Sequence, residues 1–177
     1  YQAIGVFSDG SRRDITADLT WSVDNAAPGG FLVAGTYTTT NAAAGHVVVT
    51  ARNSDGVAAT ALLTVAIDAI VIDTAYPPPA PSLFDGATTV IADDPTHAPA
   101  YRYPADGTEL PQGVASTLFQ ASLGAGNEEL RLTFDADVLH LDVRTGADRW
   151  DTGSTYERVL EQSSVGTPIH VGIRSEA

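Results

Sequence analysis

The chain has 177 residues, a formal net charge of −13, and neither cysteine nor methionine. This length suits one or two domains, and the lack of cysteine excludes disulfides and thiolate chemistry. Because all nine basic residues are arginines spread along an acidic chain, we expect no nucleic-acid partner and no attraction to an anionic membrane.

The sequence contains no run of eighteen apolar residues, so we expect no direct membrane insertion of this segment. It shows no signal peptide and does not begin with methionine. We therefore expect it to be an internal segment of a longer protein.

Over residues 1–68, short runs rich in Val, Ile, Thr and aromatic residues alternate with turn-forming clusters. The predicted strands are Gln2–Phe7, Leu19–Val23, Phe31–Val33, Thr36–Thr39, His46–Arg52 and Val57–Ile67. Asp9-Gly10 predicts a hairpin turn, because glycine adopts positive φ freely and aspartate tolerates it. Alternation places Val47, Val49 and Ala51 on one face and predicts a small antiparallel sandwich.

Three motifs in this region, Ser8-Asp9-Gly10, Asp14-Ile15-Thr16 and Thr20-Trp21-Ser22, occur in succession. Their order resembles that of bacterial immunoglobulin-like group 2 (BIG2-like) domains, over about residues 1–68. The resemblance implies a surface-exposed, non-catalytic spacer or adhesion module. Such domains normally have one more strand ahead of Tyr1, so we expect an unpaired sheet edge beside residues 1–7 and 57–67, open to a strand from another subunit.

Residues 69–100 are predicted to form a proline-rich linker and an irregular segment. Tyr76-Pro77-Pro78-Pro79-Ala80-Pro81 favours polyproline II, which is semi-rigid and cannot pair in a sheet.

Residues 101–177 are predicted to form a second β-module. Tyr103-Pro104-Ala105-Asp106-Gly107, with Pro111 after it, resembles the opening of fibronectin-type-III-like modules of exported bacterial proteins. Ser154-Thr155-Tyr156-Glu157 has capping-box spacing and predicts a short helix at 155–163. The predicted strands are Leu118–Leu123, Glu129–Phe134, Val138–Thr145 and Pro168–Arg174. The predicted fold class is all-β, with two immunoglobulin/fibronectin-like antiparallel β-sandwich modules in series and one short helix in the second.

Acidic residues make calcium the metal to consider, because Ca²⁺ needs six to eight oxygen ligands, several of them carboxylates. The candidate ligands in the second module are Asp135, Asp137, Asp148 and Asp151. Two other acidic pairs are candidates for such a site, Asp93 with Asp94 and, beside the linker, Asp68 with Asp73. The alternative is a solvated acidic surface with turn-forming aspartates and no metal or other cofactor.

Trp150 and Tyr156 are candidate ligand-binding residues, because aromatic rings can stack on a sugar face. The alternative is that Trp150 packs beside the helix as part of the core.

The sequence contains no Gly-x-Ser-x-Gly elbow, no His-Glu-x-x-His motif and no phosphate-binding glycine loop, so we expect no enzymatic activity. The expected function is structural: a spacer segment of a larger bacterial cell-surface or extracellular protein, outer-membrane-associated, as a fibre or adhesin subunit joined by β-strand complementation. The expected partners are neighbouring copies or other surface proteins. The alternatives are a carbohydrate- or protein-binding module, for which a glycan is the candidate ligand, and an accessory domain of an exported enzyme.

Overall fold

The computed structural model describes residues 1–79 and 95–176. It is mostly β-structure with a single α-helix among these residues, which confirms the predicted β-rich class. The chain divides into two compact units, Tyr1–Ala66 and Ile67–Ala177. The finer assignment to immunoglobulin-like and fibronectin-like modules stays a prediction.

The first unit has seven strands. They are β1 (Ile4–Val6), β2 (Arg12–Asp14), β3 (Thr20–Val23), β4 (Gly29–Val33), β5 (Thr36–Thr39), β6 (Gly45–Arg52) and β7 (Ala58–Val65). β1 pairs with β2, β4 pairs with β5, and the central β6 pairs with β3 and β7, all antiparallel. Every strand predicted from the pattern over residues 1–68 is present, with ends shifted by a few residues.

The predicted hairpin at Asp9-Gly10 is confirmed. Gly10 has a φ of 79°, and its amide donates to the carbonyl of Phe7 at 2.9 Å. The Asp9 carboxylate accepts a hydrogen bond from the Ser11 amide at 2.9 Å, which fixes the turn between β1 and β2.

The core of the first unit combines aliphatic residues from β6 with an aromatic cluster. Val47, Val49 and Ala51 are buried on one face of β6, as their alternation predicts. The partly buried ring of Trp21 lies 5.1 Å from Phe31, between ring centroids, and its indole N–H donates to the carbonyl of Thr16 at 3.0 Å. Trp21 therefore packs inward, with its polar atom satisfied.

The described residues of the second unit, 67–79 and 95–176, form seven strands and the helix. They are β8 (Ile67–Ile72), β9 (Ala100–Tyr103), β10 (Leu118–Ser122), β11 (Glu129–Ala136), β12 (Leu139–Thr145), β13 (Arg149–Asp151), α1 (Gly153–Ser163) and β14 (His170–Glu176). One sheet has the order β14-β11-β12-β8 and the other β13-β10-β9. Alternate residues of β11 and β12 are buried and pack with Phe119, Trp150 and the helix residues Val159 and Leu160 in one core.

The boundary predicted at residue 68 and the linker predicted over 69–100 are both corrected by β8. Residues Ile67–Ile72 pair in parallel with β12, so this strand belongs to the second unit, and its parallel direction departs from the predicted antiparallel pattern. The chain beyond β8 is also attached to that unit, because the Gly146 amide donates to the Tyr76 carbonyl at 2.7 Å and Pro78 is buried. Residues 80–94 of the predicted linker lie outside the described residues.

The helix is confirmed, but its predicted cap is wrong. It begins at Gly153, and the Glu157 carboxylate is buried at 6% exposure and does not cap the first turn. Its two oxygens accept hydrogen bonds from the hydroxyls of Thr117 (3.0 Å) and Thr152 (2.6 Å). Glu157 therefore ties the helix to the start of β10 through Thr117 and to the end of β13 through Thr152, and both oxygens of the buried carboxylate are satisfied.

Candidate functional site

The four candidate calcium ligands of the second unit do not lie together. Asp135 and Asp137 precede β12, whereas Asp148 and Asp151 follow it, so the two pairs flank a strand that spans about 20 Å. The Asp135 carboxylate lies 2.6 Å from the His140 ring, and the Asp151 carboxylate accepts a hydrogen bond from the Gly153 amide. The Asp135 carboxylate thus belongs to a cross-strand pair and that of Asp151 to a local turn, and the structure does not bring the four candidates into one site.

The other acidic pairs give no site within the part of the chain that the structure describes. Asp68 and Asp73 lie at opposite ends of β8, and the Asp73 carboxylate accepts hydrogen bonds from Thr145 and Ala75. Asp93 and Asp94 lie outside the described residues. Over residues 1–79 and 95–176, no three His, Asp or Glu side chains are placed to hold one metal ion.

Trp150 is a core residue, so the exposed aromatic pair required for sugar stacking is not formed. Its side chain is 3% exposed and lies 5.5 Å from the ring of Phe134 and 5.6 Å from that of Tyr156. β13 places Trp150 opposite Phe119 of β10, which directs the indole between the two sheets. The alternative, a tryptophan packed beside the helix, is the one that the structure supports.

Sequence reasoning missed an ion-paired row on the outer face of the β14-β11-β12 sheet. Arg174, Arg131 and Arg144 occupy one cross-strand row, and Asp142 lies beside it. The Asp142 carboxylate accepts 2.9 Å hydrogen bonds from Arg131 and from Arg144, and its side chain is only 5% exposed. Burial acts to raise the pKa of Asp142, but hydrogen bonds from Arg144 and then Arg131 outweigh it, so the pKa lies below its ordinary value.

A depression of about 210 Å³ lies on the same face, lined by Arg131, Thr133, Gly172, Ile173 and Arg174. In the next cross-strand row on this face, Glu129 lies opposite Glu176. Within this row, Asp142 compensates Arg131 and Arg144 through direct ion pairs, because buried charges need partners.

A second candidate site is the free edge of β7 in the first unit. β7 pairs with β6 over its whole eight-residue length, from Arg52↔Ala58 to Gly45↔Val65, without a register shift. It is the terminal strand of its sheet, so alternate N–H and C=O groups point away from β6. Among the described residues, these outward groups have no hydrogen-bond partner.

This edge lacks the features that normally protect sheet edges. Natural edge strands are short, bulged, or carry charged residues or proline. The β7 sequence, Ala-Ala-Thr-Ala-Leu-Leu-Thr-Val, has no charge, no proline and no bulge. Within the described part of the chain, the other long edge strand, β14, carries Arg174 and Glu176, β8 carries Asp68, and the uncharged edge strands have five residues or fewer.

The two faces of β7 are also incompletely covered. Ala59 and Ala61 point to the core side and are exposed, although their β6 partners Ala51 and Val49 are buried. On the other face Leu62 is 69% exposed beside its partner Val48, which is 37% exposed. Apolar surface and unpaired backbone therefore occur together along one strand.

The position of this edge agrees with part of the sequence prediction. The chain near residues 57–67 was expected to border an unpaired edge, and β7 lies there. The expected edge beside residues 1–7 stays a prediction, because β1 pairs with β2 on one side only and is a terminal strand of its two-stranded sheet.

No protein-family model, curated protein or solved structure matches this chain. Within the described ranges, no helix is both long and apolar enough to cross a membrane.

Proposed function

We propose that this chain is a non-catalytic structural segment of a larger bacterial surface or extracellular protein, and that it joins a neighbouring subunit by accepting a β-strand along β7. The observation that carries the proposal is the eight-residue, uncharged and regular edge of β7. Such an edge is a template for another strand, because each added residue pairs with backbone groups already aligned.

A strand added along β7 would be stabilised both by backbone hydrogen bonds and by burial of apolar side chains. An added strand would satisfy the outward backbone groups of β7, and each hydrogen bond contributes about 0.5–1.5 kcal/mol net. It would also cover the exposed side chains of Leu62 and Ala61, and burial of apolar surface contributes about 25 cal/mol per Å².

The surface setting follows from the resemblance of residues 1–68 to BIG2-like modules and of residues 101–177 to fibronectin-type-III-like modules. A β-ladder that is pulled along its strands loads its hydrogen bonds together, which suits a spacer or fibre. This part of the proposal rests on fold analogy.

The experiment is a binding titration with a synthetic strand. The probe is a fluorescent eight-residue peptide of alternating Val and Thr, whose binding to the intact chain is followed by anisotropy. Two further peptides carry N-methyl groups on alternate residues, one set along each edge of the peptide. We expect methylation of one edge to abolish binding and methylation of the other to leave it intact, because only one edge would face β7.

The matched variants are Leu62→Lys on β7 and Thr50→Lys on the central β6. Both place a lysine on the same face of the sheet, but only the first lies at the edge. Loss of binding in Leu62→Lys alone supports the proposal. Equal binding by both variants, or equal effects of the two methylation patterns, would overturn it.

A further inference from the structure

We infer that the strand accepted by β7 is β7 of a second copy of this chain, in an antiparallel pairing centred on Leu62. This inference rests on the proposed function and names the partner. It follows from the sequence of β7 and from the faces to which its residues are assigned.

Symmetry restricts the registers that such a pair can adopt. Two antiparallel copies of one strand are related by a two-fold axis perpendicular to the sheet, so core-side residues must lie opposite core-side residues. A slip by one residue would place core-side residues opposite outer ones and is forbidden. With Leu62 opposite its own symmetry mate, the core faces of both sheets lie on the same side.

In this register the core-side residues are complementary in size. Ala59 lies opposite Val65 of the second copy, and Ala61 lies opposite Leu63. The two exposed alanines of each copy thus meet the two larger residues of the other, so the apolar surface left open at Ala59 and Ala61 is covered. Cross-strand neighbours of this kind are the unit of sheet stabilisation.

The outer face is self-complementary as well. Thr60 lies opposite Thr64, a pair that can share a hydrogen bond, and Leu62 packs against Leu62. No residue from Ala58 to Val65 is charged, so no like charges meet along the paired strands. The two three-stranded sheets would join into one continuous sheet without an edge between them.

The test uses charge at the symmetry axis. Leu62→Lys and Leu62→Glu each place like charges directly opposite one another, and we expect each variant alone to weaken association by about tenfold or more. An equal mixture of the two variants places lysine opposite glutamate and should recover association. Association is measured by sedimentation velocity over a wide range of protein concentration.

A cysteine variant checks the register independently. The chain has no cysteine, so Leu62→Cys introduces the only thiol. Directly opposite residues have Cα atoms about 4.5–5.5 Å apart, within the range that a disulfide spans. We expect Leu62→Cys to form a disulfide dimer on mild oxidation much faster than Leu32→Cys, which is 85% exposed and lies on β4.

Three results would overturn the inference: a wild-type chain that remains monomeric throughout, a charge mixture that fails to associate, or equal oxidation of the two cysteine variants. None of them decides the proposed function, because the peptide titration reports strand acceptance by β7 without a second copy. Association of the wild type and the mixture, with selective oxidation at position 62, supports the inference.

Discussion

Asp142 is the residue that pairs with Arg131 and Arg144 on the outer face of the β14-β11-β12 sheet. It accepts hydrogen bonds from two arginines and is almost fully buried. Removing one member of a buried charge network leaves the other charges uncompensated.

We expect Asp142→Asn to lower the free energy of unfolding at neutral pH by about 3 kcal/mol or more. Because the folded-state pKa is lowered, the stabilisation by Asp142 is complete above the unfolded-state pKa of about 3.9 and is lost as pH falls through the folded-state value. Urea denaturation of the wild type and the variant across acidic pH measures this difference. Asp148→Asn, at an exposed aspartate, is the control. An unchanged pH dependence in Asp142→Asn would contradict the assignment.

Thr152 has a comparable role beside the helix. Its hydroxyl donates to the buried Glu157 carboxylate and accepts from the Thr117 amide at 2.8 Å. Thr152→Val keeps the shape but removes both hydrogen bonds, so we expect a loss of about 1–3 kcal/mol in unfolding free energy. Thr155→Val, at an exposed position of the same helix, should change little. Equal losses in the two variants, measured by chemical denaturation, would refute this role for Thr152.

At the scale of elements, the turn between β10 and β11 is fixed by close approach of two backbone segments. Gly124 and Gly126 both have positive φ, 86° and 80°. A Cβ on Gly124 would lie 2.4 Å from the His97 carbonyl oxygen, whereas one on Gly126 meets nothing within 4 Å.

This pair of glycines separates backbone strain from collision. Both Gly124→Ala and Gly126→Ala incur the left-handed strain of about 1–2 kcal/mol. Gly124→Ala should lose about 1–3 kcal/mol more, because its methyl group collides with fixed backbone. Thermal and urea unfolding of the two variants give the comparison, and equal losses would show that the segment at His97 moves aside freely.

The elements themselves were largely predictable, because strand periodicity is local. Alternation in residues 47–51 indicated which side chains share a face, and the burial of Val47, Val49 and Ala51 confirms it. Which strand pairs with which is not local. Nothing in the Ile67–Ile72 pattern indicates parallel pairing with β12, and nothing in capping-box spacing indicates that Glu157 points inward.

The β7 edge and the Asp142 ion pairs were likewise only partly predictable from the sequence. The neutral composition of β7 is visible in the sequence, but its place at the end of a sheet depends on tertiary pairing. Asp142 and its two arginines are close only because β11 and β12 are in register, so their contact left no signal in the spacing.

At the scale of the whole molecule, charge opposes the association that β7 favours. Each copy has a formal net charge of −13, so two copies repel one another at low ionic strength. The paired strands are neutral, so salt should screen the repulsion, over a Debye length of about 10 Å at 0.1 M, without weakening the pairing. We expect association, measured by sedimentation, to strengthen with added sodium chloride. Weakening by salt would indicate an ionic interface elsewhere.

We propose above all that β7 accepts a strand through its outward backbone groups. Amide hydrogen exchange of the intact chain, followed residue by residue by NMR at low and high protein concentration, tests it most directly. We predict that alternate amides of Ala58–Val65, those directed away from β6, become protected as concentration rises, while the amides bonded to β6 are protected throughout. If the outward amides exchange equally fast at every concentration while the chain associates, the interface lies elsewhere and the account is contradicted.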